Sequence, residues 1–174
     1  MTMYLALDVQ YGDDSVGAAC VAFLDPKSDA IAFEFESVSP GSAEPYEPGH
    51  FYRRELRYLT TLVERAQERA PKLRALFVDG YVWLGQSRPG LGHALHEATR
   101  GLPVIGVAKS AFRDAPAVLV HRGQSERPLF VTAIGLHSEE AADIVRSMHG
   151  PHRIPTLLKR ADRLARDSMA PADK

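Results

Sequence analysis

The run Tyr4-Leu5-Ala6-Leu7-Asp8-Val9 is apolar with one acid set into it, and the turn cluster Gly12-Asp13-Asp14-Ser15 follows at once. An apolar run bounded by turn residues reads as a strand. Positions 16–24 are small and apolar (Gly17, Ala18, Ala19, Cys20, Val21, Ala22) and stop at Asp25-Pro26. Positions 30–38 alternate, with Ile31, Phe33 and Phe35 on one face and Glu34 and Glu36 on the other, which is the period of a half-buried strand. Three strands joined by short turns predict an antiparallel meander. Positions 39–49 hold three prolines and two glycines and read as loop.

From His50 the period changes to that of a helix. Phe51, Glu55, Leu59, Leu62, Val63 and Ala66 share one face. Leu76-Phe77-Val78 is a buried-type strand that closes at Asp79-Gly80, and positions 91–99 read as a helix. Pro103-Val104-Ile105-Gly106-Val107 is a second buried strand, and positions 117–120 and 129–132 form a hairpin pair. Positions 138–148 predict a helix capped by Ser138, and a last helix spans 156–167. The order β-β-β-α-β-α-β-β-β-α-α predicts an α/β fold: one mixed sheet, antiparallel at its start and parallel further on, flanked by helices. With 174 residues and no repeat or linker, positions 1–168 read as one domain and 169–174 as a flexible tail.

Composition narrows the classes. Twenty-one Lys and Arg stand against 22 Asp and Glu, a formal charge of −1, which excludes a simple polybasic coat for DNA but not a nuclease with locally placed charge. No stretch approaches the ~20 apolar residues of a membrane span, and the N-terminal residues lack the charged region of a secretory signal. The single cysteine, Cys20, fits the reducing cytoplasm.

Two acids stand out by position. Asp8 and Asp79 each close an apolar strand, where ionisation is costly without a compensating partner. Two carboxylates about 4 Å apart repel by about 4 kcal/mol at an effective dielectric of 20, and a divalent cation between them relieves this. Taken singly, each acid is as readily a loop starter. Glu55 lies on the apolar stripe of its helix, four residues before Leu59, and Asp162 sits at the border of the last helix's apolar face, four residues after Leu158. Together the four form a hard-oxygen set suited to Mg²⁺, with Mn²⁺ as a substitute. Lys109 follows a strand directly, at a place suited either to a phosphate or to open solvent. His93, His96 and Glu97 share a helix face and read as surface, and Cys20 reads as core. Arg153, Lys159, Arg160, Arg163 and Arg166 make the C-terminal segment basic, either as a solvated helix face or as a nucleic-acid contact.

The motifs resemble those of endonuclease V. Pro45-Tyr46-Glu47-Pro48-Gly49 followed by Arg54-Glu55 is similar to that family's P-Y-x-P-G…R-E segment. Leu7-Asp8-Val9 with Tyr11, then Val78-Asp79-Gly80, then Ile105-Gly106-Val107-Ala108-Lys109-Ser110, follow in the family's order. Arg153-Ile154-Pro155 before Ala161-Asp162 resembles its C-terminal motif. The resemblance implies a ribonuclease-H-like fold and a Mg²⁺-dependent endonuclease in DNA repair. Its partner would be DNA or RNA carrying deaminated bases, chiefly inosine, cut at the second phosphodiester bond 3′ to the lesion. It implies Asp8, Glu55, Asp79 and Asp162 as metal-binding catalytic carboxylates and Lys109 beside the scissile phosphate. Pro45, Tyr46 and Pro48 would form a strand-separating wedge, and Gly80 would border the base pocket. Two departures stand in that pocket: Val82 replaces a family glycine, and Gly85-Gln86-Ser87 replaces His-Pro-Arg. They motivate a second reading, a weakened member that binds nucleic acid without cutting it. A third reading, an unrelated small hydrolase, requires the four acids to lie apart.

Overall fold

A computed structural model describes residues 1–41 and 52–171 of the chain. Seven strands form one sheet in the order β3-β2-β1-β4-β5-β7-β6. The opening meander consists of β1 (Met3–Tyr11), β2 (Ser15–Phe23) and β3 (Phe33–Pro40), paired antiparallel. Helix α1 (Tyr52–Arg69) returns the chain to β4 (Leu73–Asp79), which lies parallel to β1. Helix α2 (Leu91–Ala98) leads to β5 (Val104–Ala108), parallel to β4. Strands β6 (Val118–Val120) and β7 (Leu129–Ile134) then make an antiparallel hairpin that pairs through β7 with β5. Helices α3 (Ser138–Ser147) and α4 (Thr156–Ser168) follow.

Alternation along each strand divides the core between two layers. Leu5, Leu7, Val9, Leu76 and Val78 pack with Leu59, Leu62 and Val63 of α1 and with Leu91 and Leu95 of α2. Ala6, Phe77 and Val107 face the other way, onto Ala141 and Val145 of α3 and Leu157 and Ala161 of α4. Strand β2 is buried on both faces, which is why its sequence is uniformly small and apolar rather than alternating.

Several boundaries differ from those the sequence predicts. Ile31 lies before β3 and is exposed, while the strand runs on to Pro40. Edge pairing with Ser15 carries the extra residues and tolerates a terminal proline. Ser138 does not cap α3: it is the first helical residue, and the cap position is His137, which makes no side-chain cap bond. The tail positions 172–174 and most of the proline-rich loop lie outside the described residues. No described helix is long and apolar enough to cross a membrane.

Candidate active site

The register of β1 against β4 sets the first pair of acids. Ala6 lies opposite Phe77 in parallel, and both face the α4 layer. Two residues on, on the same face, stand Asp8 and Asp79. Asp79 in turn pairs with Val107 of β5, and two residues beyond Val107 the chain places Lys109. Its Nζ donates to Asp79 Oδ2 at 3.1 Å, with both side chains about half exposed. Three residues from three adjacent strand ends thus meet because the strands are parallel and in step.

The two helical layers supply the other acids. Glu55 sits in the first turn of α1, half-buried and reaching the strand ends from the opposite layer. Asp162 comes from α4, where Leu157, Ala161 and Ala165 are the buried stripe. Gln10, two residues past Asp8 on the same strand face, joins them. Its Nε2 donates to Asp8 Oδ2 at 2.7 Å and to Asp162 Oδ1 at 2.9 Å. Arg166 holds Asp162 from one helical turn away, with Nε on Oδ2 at 3.0 Å and Nη2 on Oδ1 at 3.1 Å.

Electrostatics mark the four carboxylates as one cluster. Burial pushes Asp8 up to about 7; the Gln10 hydrogen bond and Lys109 pull it down, while the charges of Asp79 and Asp162 raise it further. Glu55 is pushed up to about 8, first by burial and then by the fields of Asp8 and Asp79, with Arg54 opposing. Burial raises Tyr11, which lies under the Arg54 guanidinium at 4.8 Å from its ring centre, and the charge of Glu55 adds to this. Asp8 and Glu55, held protonated near neutral pH first by burial and then by the neighbouring carboxylate charges, are hard oxygen donors of the kind a divalent cation fits. Among the described residues, no three acidic, histidine or cysteine side chains stand close enough as they are to hold a metal ion.

Beside the acids opens a cavity of about 400 Å³. Asp8, Asp79 and Asp162 line one side, and Lys109, Arg127, His152 and Lys159 line the rest over a floor that includes Phe77 and Leu158. Two arginines fix this wall. Buried Arg122 donates to the main-chain oxygens of Met148, Gly150, His152 and Arg153, and burial lowers its pKa. Arg153 donates to the carbonyls of Lys109, Arg127 and Pro128. Of the basic C-terminal run, Lys159 therefore faces the cavity. Arg160 forms a two-pronged ion pair with Glu34 on β3 instead, and Arg153 and Arg166 are held by groups of the chain itself.

The remaining candidates fall as follows. Gly80 carries φ +138°, a backbone conformation that favours glycine, and a side chain there would meet open space. Val82 is fully buried, its N–H bound by Thr132 Oγ1 at 2.9 Å. His93 packs against Trp83 and His96 bonds the Leu102 carbonyl, so both are structural rather than solvated. Cys20 is core, with burial raising its thiol to about 12. Pro45, Tyr46 and Pro48 lie outside the described residues. Gln10, Arg122, Arg127 and His152 join the site from the structure: Gln10 shares the strand period of Asp8, a signal present in the sequence, whereas the other three are placed by loop packing.

The family model for endonuclease V matches residues 1–130. The chain belongs to the endonuclease V family. Membership makes it a nuclease, and its mixed sheet is the ribonuclease-H-like fold of that family. Among solved structures, endonuclease V from Ciona intestinalis, bound to a 23mer DNA containing an inosine followed by a ribo-adenosine, is 19% identical, with a TM-score of 0.81 over 95% of this chain and 84% of that one. The catalytic domain of human endonuclease V is 23% identical, TM-score 0.77, over 96% and 82%. Endonuclease V from Streptomyces avermitilis is 26% identical, TM-score 0.71, over 97% and 80%. No curated protein sequence matches the chain. The family match contains Asp8, Glu55, Asp79 and Lys109 and stops before α4, so Asp162 joins the set through its place in the fold.

Proposed function

We propose that the chain is a metal-dependent endonuclease that cuts DNA or RNA beside deaminated bases, chiefly inosine, at the second phosphodiester bond 3′ to the lesion, in DNA repair. The observation that carries this reading is the coupling of Asp8, Glu55, Asp79 and Asp162 at one end of the sheet, with Lys109 beside them. These four would hold Mg²⁺, or Mn²⁺ in its place, and the cation when bound supplies an activated water and offsets charge on the phosphate. Lys109 would bind a phosphate oxygen. Lys159, on the cavity wall, would hold the backbone away from the acids. The inosine-bearing DNA held by the Ciona relative supports the substrate class. Pro45, Tyr46 and Pro48 are assigned as the wedge by motif, Gly80 as a border of the base pocket, and Arg160 as a peripheral backbone contact that must share its guanidinium with Glu34. A lone buried cysteine supports a cytoplasmic setting.

One observation favours the second reading, binding without cutting. Fully buried Val82 occupies the loop where the family motif has a glycine, packed so that a Cβ on Gly92 would come 2.6 Å from its side chain. Incubating wild type and Asp79→Ala with inosine-containing DNA and RNA, in Mg²⁺ or Mn²⁺, decides between them. The endonuclease reading expects a single product band 3′ to inosine from wild type and at least about a hundredfold less from the variant, the scale on which removal of a metal-positioning group acts. Retarded but uncut nucleic acid at all times would establish the binding reading instead.

A further inference from the structure

Both oxygens of Asp162 are already engaged, and by groups that mimic a cation. Oδ1 accepts from Gln10 and from Arg166, and Oδ2 accepts from Arg166 as well. An amide nitrogen carries two hydrogens, and Gln10 uses them on two carboxylates at once, Asp8 and Asp162. Arg166 adds a full positive charge in the planar fork that carboxylates bind best, and that charge acts on Asp8 and Asp79 as well as on Asp162. Its side chain is 60% exposed, against 28% for Asp162. It can therefore swing into water at little cost, whereas Asp162 stays fixed on its helix.

We propose that Arg166 is a built-in stand-in cation, masking Asp162 until a divalent ion displaces it, with Gln10 keeping Asp162 and Asp8 in register through the exchange. The inference rests on the reading of the four acids as a cation site. It accounts for an arrangement in which four coupled carboxylates nevertheless present no ready three-ligand set among the described residues. It also assigns a role to a residue of the basic helix beyond nucleic-acid contact. The neutral amide of Gln10 leaves other lone pairs of both carboxylates free for a metal, but the arginine fork covers the outer edge of Asp162. Metal and arginine therefore compete for one carboxylate, and the outcome depends on the concentration of the metal.

The test is Mn²⁺ binding to the full chain, followed by isothermal calorimetry and by electron paramagnetic resonance of free Mn²⁺, with thermal unfolding in EDTA alongside. Arg166→Met is expected to bind Mn²⁺ about two- to fivefold more tightly, the range by which a partly exposed ion pair can oppose a competing ligand. It is also expected to unfold at a lower temperature in EDTA, because the repelling acids lose their counter-charge. Arg166→Lys, which keeps the charge but loses the fork, should fall between Arg166→Met and wild type. Arg163→Met removes the same charge from the same helix without the Asp162 hydrogen bonds, and should match wild type. Unchanged or weaker binding by Arg166→Met, or an equal gain in Arg163→Met, overturns the masking role while leaving the cation site intact. Binding by neither wild type nor Arg166→Met overturns the cation-site reading and the inference with it.

Discussion

Asp8 concentrates the site's electrostatics in one side chain. It is 7% exposed, faces two further carboxylates, and has Gln10 as its hydrogen-bonding neighbour. Its pKa rises from 3.8 to about 7 on folding, so the folded, metal-free protein holds a proton that the unfolded chain has released. Stability is then greatest where both states are protonated, below about pH 4, and declines as the pH rises towards 7. Asp8→Asn removes the titration while its amide oxygen still accepts from Gln10. Between pH 5 and 8, in EDTA, wild type is expected to lose about 2–3 kcal/mol of stability that the variant keeps. Urea unfolding at stepped pH measures this, and parallel pH profiles for the two proteins would contradict it. The position of Asp8 at the end of an apolar strand made it legible in the sequence. Its partner Asp162 was legible as a border residue, but the bridge between them was not: Gln10 and Asp162 are 152 positions apart, and no local pattern encodes that contact.

At the scale of elements, the approach of α4 to the meander decides where Asp162 stands. The small residues of β2 explain themselves here. A Cβ on Gly17 would run into the Ala165 carbonyl and come 2.6 Å from Ser168 Oγ, so glycine lets α4 lie directly on the strand. The run of small residues is legible in the sequence as a strand, but the helix it accommodates is not, because a small residue does not name its neighbour. The cap of α3 is hidden for a related reason: Ser138 suits a cap by type, but the helix begins one residue earlier than that role requires. Gly17→Ala should lift α4 by a few tenths of an ångström or more and cost about 2–3 kcal/mol, the usual penalty for overpacking. Because Asp162 rides on α4, the variant should also need more Mn²⁺ for half-maximal cleavage. Ala18→Gly on the same strand faces α1 instead, so it should lose stability without that shift. A matched metal requirement in both variants would remove α4 placement as the cause.

Across the whole molecule, near-neutral composition conceals a separation of charge. The 22 acids and 21 bases sum to −1, yet carboxylates from two strands and both helical layers converge at one end of the sheet, with Lys109, Arg127 and Lys159 around the adjoining cavity. That convergence was partly readable: Asp8 and Asp79 each close an apolar strand, but with β2, β3 and α1 between them in the chain, only the fold shows that the two strands are parallel neighbours. The basic wall was less readable, because Arg153 and Arg160 look in sequence like free cations and are instead held by carbonyls and by Glu34. The separation has a measurable consequence for nucleic acid. Without a divalent ion, the acids repel the phosphates that the lysines attract, so binding is a balance that removal of one carboxylate tips. Asp79→Asn deletes a half-exposed charge and releases Lys109 from its ion pair. In EDTA it should bind an inosine-containing oligonucleotide about two- to fivefold more tightly than wild type, with a steeper dependence on salt as Lys109 gains a phosphate contact. In Mn²⁺ the order should reverse, because the variant lacks one of the carboxylates that would hold the ion beside the backbone. Fluorescence anisotropy in the two conditions reads both affinities, and weaker binding by Asp79→Asn in EDTA would show that Lys109 serves Asp79 rather than the phosphate.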